Sequence, residues 1–257
     1  MKLYYEDSQG QGPALLMVAG LASDAVSWLF QVPLLREYFR VIVCDNRGVG
    51  RSPKPPGPYA VSEMARDILE ILDELGLQRL HMVGHSLGGA ICQQLALDHP
   101  ERVSKLILAC TSAHFSGRSL AVVESWARCV RLGVDPAVLG RVLFPWLYTA
   151  DFLDQPGNLE EAITALRQHP YPLDAQGLEG QVAALRNHDT RSQLQEISAP
   201  TLILGAAQDL LVPPSVCAAM ADTIAGSRLT LLSGTGHSCM LQTPDAFNQA
   251  LLDFLQS

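Results

Sequence analysis

Three polar side chains in the 257-residue sequence stand where acyl-transfer chemistry would need them. Ser86 lies in "GHSLGG", residues 84–89, between an apolar run and a helical pattern. A serine hydroxyl is a weak nucleophile unless a base takes its proton and a third group orients that base. The motif Gly84-His85-Ser86-Leu87-Gly88 implies a sharp strand-to-helix turn that strains the serine backbone and leaves no room for side chains two positions either side. The helix starting there turns free N–H groups and its positive dipole end toward a developing negative charge. The base must come from seven histidines. His81, His99, His114 and His169 lie in or beside elements with no turn signal or partner, and His188 sits near the end of the long middle segment that reads as a cap. His85 should point away from the nucleophile it precedes. His237 differs, because "LTLLSGTGHSCM" (229–240) places it after an apolar strand and a glycine-rich turn. The acid should also lie beyond a strand and before His237. Asp209 does so in "PTLILGAAQDLLVP" (200–213), and is favoured over Asp222, which falls in the helical stretch "SVCAAMADTIAG". Asp209 would accept the second N–H of His237 and stabilise its imidazolium.

These residues need a scaffold of strands. Short runs rich in Val, Ile and Leu occur at Leu15–Val18, Arg40–Cys44, Leu80–Val83, Lys105–Ala109, Thr201–Leu204 and Arg228–Leu232. Helical patterns alternate with them, which predicts an α/β fold with a mainly parallel sheet covered on both faces. In "SEMARDILEILDELG" Ser62 is the expected N-cap and Gly76 the stop. Further helices are expected from Ser86 to about Asp98 and from Pro244 to Phe254. Between Ala109 and Pro200 the alternation fails, and only helix-like pieces occur. The expected organisation is a core of residues 1–111 and 192–257 with a helical cap, 112–191, inserted between.

Composition narrows the possibilities. Hydrophobic residues make up 48% and charged residues 17%, enough for a sizeable core and too little charge for disorder. A net charge of −8 with no Lys/Arg cluster argues against nucleic-acid binding. The six cysteines show no metal spacing and no C-x-x-C, so reduced, mostly buried thiols are expected, with no metal and no cofactor. The start "MKLYYEDSQGQGP" is unlike a leader peptide, and no apolar run approaches the roughly 18 residues of a membrane span. The expectation is a cytoplasmic protein without membrane partners, a monomer or small homo-oligomer.

"GHSLGG", "GAAQDLLVP" and "GTGHS", together with "CDNRGVGRS" at 44–52, resemble the α/β-hydrolase fold family along essentially the whole chain. The chain order serine, acid, histidine is that family's order. Within it, the sequence looks like the 3-oxoadipate enol-lactone hydrolases and related esterases. "LFPWLYTADFL" and "QDLLVPPS" look locally similar to the aminoacrylate hydrolase of pyrimidine breakdown. The resemblance implies a serine hydrolase that cleaves a small, largely apolar ester or lactone through an acyl-enzyme. Aminoacrylate-type, C–C bond or perhydrolase chemistry on the same triad is the alternative, and a non-catalytic ligand-binding receptor a more distant one. A tetrahedral intermediate needs two oxyanion donors. The backbone N–H of Leu87 is one. Where the family usually has His-Gly-x-x after an early strand, "AGLA" (19–22) stands, so Leu21 N–H is the second, with Gly20 allowing close approach. Ala19 replaces the usual histidine, which leaves the rigidity of this loop without its usual support. The cap offers Trp126, Phe144, Trp146, Leu147, Tyr148 and Phe152 as pocket lining, with Leu211 beneath. No arginine pair stands out as a carboxylate clamp.

Overall fold

A computed structural model describes residues 1–257. Its strands are β1 (Tyr5–Asp7), β2 (Ala14–Val18), β3 (Arg40–Cys44), β4 (Leu80–His85), β5 (Val103–Ala109), β6 (Thr201–Ala206) and β7 (Arg228–Leu232). The helices are α1 (Val32–Leu35), α2 (Val61–Glu74), α3 (Leu87–Asp98), α4 (Gly117–Arg131), α5 (Pro136–Leu147), α6 (Ala150–Leu153), α7 (Asn158–Gln168), α8 (Ala175–Asn187), α9 (Pro214–Thr223), α10 (Cys239–Gln242) and α11 (Pro244–Leu255). None is long and apolar enough to cross a membrane.

Alternation along the strands explains the layering. Leu16, Val18, Ile42, Cys44 and Met82 face one apolar cluster with α2, α3, α9 and the inserted helices. Leu15, Met17, Val41, Val43 and Val83 face the other, against Leu35 of α1 and Phe247 and Leu251 of α11. Successive strand side chains point to opposite faces, so a strand covered on both sides must be apolar throughout. The sheet has seven strands in the order β1-β3-β2-β4-β5-β6-β7. All neighbours are parallel except β1, which pairs antiparallel with β3. The sequence gives no sign of β1, because three residues of polar character at a sheet edge carry no periodicity.

Register places the strand ends side by side. Val18 pairs with Gly84, His85 with Ala109, Ala109 with Leu204, and Ala206 with Leu232. The loops that follow β2, β4, β5, β6 and β7 therefore emerge together at the C-terminal edge, where open α/β sheets bind ligands. Five helices, α4 to α8, lie between β5 and β6 and pack over that edge. One N-cap differs from expectation. The α2 cap is Ala60, not Ser62, and the Glu63 carboxylate accepts the Ala60 N–H at 3.0 Å. A carboxylate reaching back from the third helical position satisfies the orphan amide without a hydroxyl at the cap.

Candidate active site

Ser86 sits between β4 and α3 with φ 52° and ψ −117°, a conformation a non-glycine residue adopts only when its surroundings impose it. Three bonds impose it. The Ser86 N–H donates to Ala109 O at 2.9 Å, and Ser86 O accepts from Ala90 N–H at 3.1 Å and from the Thr111 hydroxyl at 2.6 Å. The Ser86 hydroxyl itself has no hydrogen-bond partner within the protein and faces a cavity of about 320 Å³.

His237 lines the same cavity, and its Nδ1–H donates to Asp209 Oδ2 at 2.7 Å. The other oxygen of Asp209 accepts the N–H groups of Leu211 and Val212, each at 2.8 Å. This carboxylate is buried, yet charge-assisted hydrogen bonds satisfy both its oxygens. With Nδ1 engaged, Nε2 of His237 is the nitrogen left to take a proton. Asp222 lies on α9 and takes no part.

His85 departs from the sequence expectation. Its ring is buried in the cavity wall, 4.9 Å from the His237 ring centre. Its Nε2–H donates to the His237 backbone oxygen at 2.9 Å, since a carbonyl can only accept. His85 thus helps hold the His237 loop. Burial, then the neighbouring His237 imidazole, pushes its pKa down to about 3. Burial likewise pushes His188 down to about 4. The unfolded chain takes up protons below about pH 6.5 that native His85 and His188 refuse, so stability falls as pH falls through that window. Urea unfolding at pH 7.5 and 5.5 is expected to show a loss of about 2 to 3 kcal/mol from these two side chains. Replacing both with a neutral residue of similar size should shrink that difference, and an undiminished difference would refute the assignment.

The loop after β2 approaches Ser86 closely. A Cβ built on Gly20 would lie 3.2 Å from Ser86 Cβ and 3.0 Å from His85 Nδ1, so only glycine fits without displacement. The backbone N–H groups of Leu21 and Leu87 make no hydrogen bond within the protein. Leu87 N–H is free because it begins α3, where the first amides have no intrahelical acceptor.

Leu21, Trp126, Phe144, Leu147, Tyr148 and Leu211 line the cavity, and 21 of its 31 lining residues are hydrophobic. Trp146 and Phe152, expected there, are outside it. Trp146 lies on a different face of α5 from Leu143, Phe144 and Leu147, which the helical period brings together on the cavity side. Phe152 stacks on Tyr148 instead, ring centres 4.7 Å apart. Sequence reasoning missed His169, which lines the cavity with Nε2 at 3.4 Å from the buried Asp24 carboxylate. No lysine or arginine lines the cavity. Burial raises the pKa of Asp24, an effect the nearby His169 partly offsets.

The six cysteines are free thiols, five of them buried. Cys110 and Cys239 meet at 3.6 Å behind His237, and this contact together with burial holds the Cys110 thiol well above its usual pKa. Donor atoms of His85, Cys110 and His237 lie within 4.8 Å of one another. A protonated thiol and an imidazole already bonded to Asp209 make a poor ligand set, since metals bind thiolates and free imidazole nitrogens.

The sequence pattern of the alpha/beta hydrolase fold family matches residues 13–244. The chain therefore belongs to the α/β-hydrolase fold family and is an enzyme of hydrolytic type. Its similarities are to particular hydrolases. A protein of Variovorax paradoxus (strain S110), named provisionally as the carbamate hydrolase RutD, is 34% identical over 99% of this chain and 96% of its own length. A hydrolase from Pseudomonas aeruginosa PA01 superposes with TM-score 0.88 at 33% identity, covering 99% of this chain and 94% of that one. The enol-lactonase from Burkholderia xenovorans LB400 superposes with TM-score 0.89 at 28% identity, covering 99% and 96%.

Proposed function

We propose that the protein is a serine hydrolase acting on an uncharged, largely apolar carboxylic ester or lactone. The carrying observation is the pairing of a free serine hydroxyl and an Asp209-bound imidazole in one apolar cavity that contains no cationic side chain of lysine or arginine. Ser86 attacks the carbonyl carbon while His237 Nε2 takes its proton. Asp209 holds the imidazolium, and the oxyanion receives the N–H groups of Leu21 and Leu87. His237 then protonates the leaving alkoxide. Water, deprotonated by the same nitrogen, hydrolyses the acyl-enzyme.

An anionic substrate fits this cavity less well. Its fixed charges are carboxylates, at Asp24 in the wall and Asp209 behind His237, and desolvating a substrate carboxylate without a cationic partner is costly. Carbamate cleavage is the second reading, supported by the name of the Variovorax relative and by the fact that the same serine can attack a carbamate carbonyl.

A panel of p-nitrophenyl acetate, butyrate and octanoate, neutral lactones and neutral alkyl carbamates tests the assignment. We expect turnover of the esters, and covalent labelling by a fluorophosphonate that peptide mass spectrometry places on Ser86. Labelling elsewhere, or none, would sink the proposal. Turnover confined to carbamates would favour the second reading.

A further inference from the structure

We propose that Gln181, on the inserted helix α8, is a positioning residue that sets the Leu21 oxyanion donor. This rests on the assignment of Leu21 N–H as that donor. Gln181 is fully buried, with both ends of its amide engaged. Its Oε1 accepts the Ala22 N–H at 2.9 Å, and its Nε2 donates to Arg47 O at 2.8 Å. A buried carboxamide whose donor and acceptor both bond backbone has one orientation available to it.

The bonded loop needs such a constraint. Ala22 has φ 60°, a left-handed conformation that costs an alanine about 1 to 2 kcal/mol. The Leu21–Ala22 peptide unit is rigid and is held at both ends, by Gln181 on its N–H and by the Ser23 hydroxyl donating to Leu21 O at 3.3 Å. On the other side, Asn46 Nδ2 donates to Ala19 O at 3.1 Å. The Gly20–Leu21 peptide lies between these two clamps and keeps its N–H free, beside Ser86. The anchor is itself fixed, because the Arg47 guanidinium forms two bonds to Asp67 of α2, at 2.6 and 2.9 Å. Ala19 stands where the family usually has a histidine, and Gln181 braces the turn from α8. It comes from a helix packed over the pocket, so displacement of α8 would release the donor along with the lid.

The test is Gln181→Met, which keeps the length of the side chain and removes both hydrogen bonds. With active sites counted by fluorophosphonate titration, kcat on p-nitrophenyl butyrate should fall about 10- to 100-fold, less than or equal to outright loss of an oxyanion donor. KM should stay within about twofold, and a trifluoromethyl ketone that forms a tetrahedral adduct should weaken by the same factor as kcat/KM. A KM increase at constant kcat, or unchanged kinetics, would overturn the proposal. Amide hydrogen exchange followed by NMR reads the clamp without catalysis. In the wild-type protein the Ala22 N–H should be protected, and the Leu21 N–H should exchange faster. Exchange of Ala22 at the unprotected rate overturns the proposal even if Gln181→Met does not fold. A wild-type protein inert to every ester and unlabelled by the fluorophosphonate would instead overturn the serine ester hydrolase proposal, and loss of Ala22 protection in Gln181→Met would still show that Gln181 holds the loop.

Discussion

Ser86→Ala is expected to lower kcat on p-nitrophenyl butyrate by about 10⁴-fold or more while the protein stays folded. Where serine is the nucleophile, its removal leaves only oxyanion stabilisation and binding, and losses of about 10⁴ to 10⁶ follow. The structure separates this effect from a folding defect. The Ser86 hydroxyl makes no hydrogen bond within the protein, and the strained turn is held by bonds of the Ser86 backbone to Ala109 O, Ala90 N–H and the Thr111 hydroxyl, which alanine leaves in place. The melting temperature should therefore move by no more than a few degrees. Turnover by Ser86→Ala at the wild-type rate would mean that another group attacks the carbonyl.

Gly88→Ala should act in the opposite way, through the fold first. A Cβ at this position would lie 2.0 Å from Val18 O and 2.7 Å from Ala19 O. Both are backbone atoms at the end of β2, in a region where neither side can yield without moving the central sheet. Either α3 must retreat from the strand, carrying the Leu87 N–H with it, or the turn that holds Gly20 and Leu21 must shift. Overpacking of this kind costs about 3 kcal/mol or more. For a protein of this size that corresponds to a melting temperature lower by roughly 6 to 12 °C. Differential scanning calorimetry checks the first effect, and ester turnover per titrated active site the second. A variant with wild-type melting temperature and turnover would show that the close approach in the structure is wrong.

Ser86, Asp209 and His237, the triad we propose, could be picked out because each is announced locally. Each follows an apolar strand within a few residues, and turn residues mark the point where the chain leaves the sheet. The strand runs were legible for a related reason. A strand covered on both faces must be apolar at every position, so Leu15–Val18 and Arg40–Cys44 stand out even at four or five residues. At the edges burial is no guide: β7 was found from its leucines although most of it is not buried, while β1, three residues of Tyr, Glu and Asp, was missed.

His85 shows a subtler failure. A neighbour of the nucleophile was expected to face away, as alternation along a strand would have it. His85 ends β4 and keeps its alternation, but the φ of 52° at Ser86 breaks that alternation one residue later, so both side chains line the cavity and the His85 ring lies against His237. Trp146 failed differently, because an aromatic segment names candidates without saying which face of α5 will meet the cavity. His169 and Gln181 carried no local mark at all. His169 meets Asp24 across the cavity wall, and Gln181 meets Ala22 across 159 positions of chain.

The sequence by itself determined the α/β class and the order of the parallel strands' elements along the chain, and it singled out the three side chains that we propose carry acyl transfer. These rest on short-range rules, the period of apolar residues and the chemistry of turns, which act within a dozen residues. Only the tertiary structure decided how the strand ends line up, which side chains face the cavity, and what holds the loop carrying Leu21. Those depend on contacts between segments far apart in the chain, and a buried glutamine in an amphipathic helix looks the same in sequence whether it binds a backbone amide or faces water.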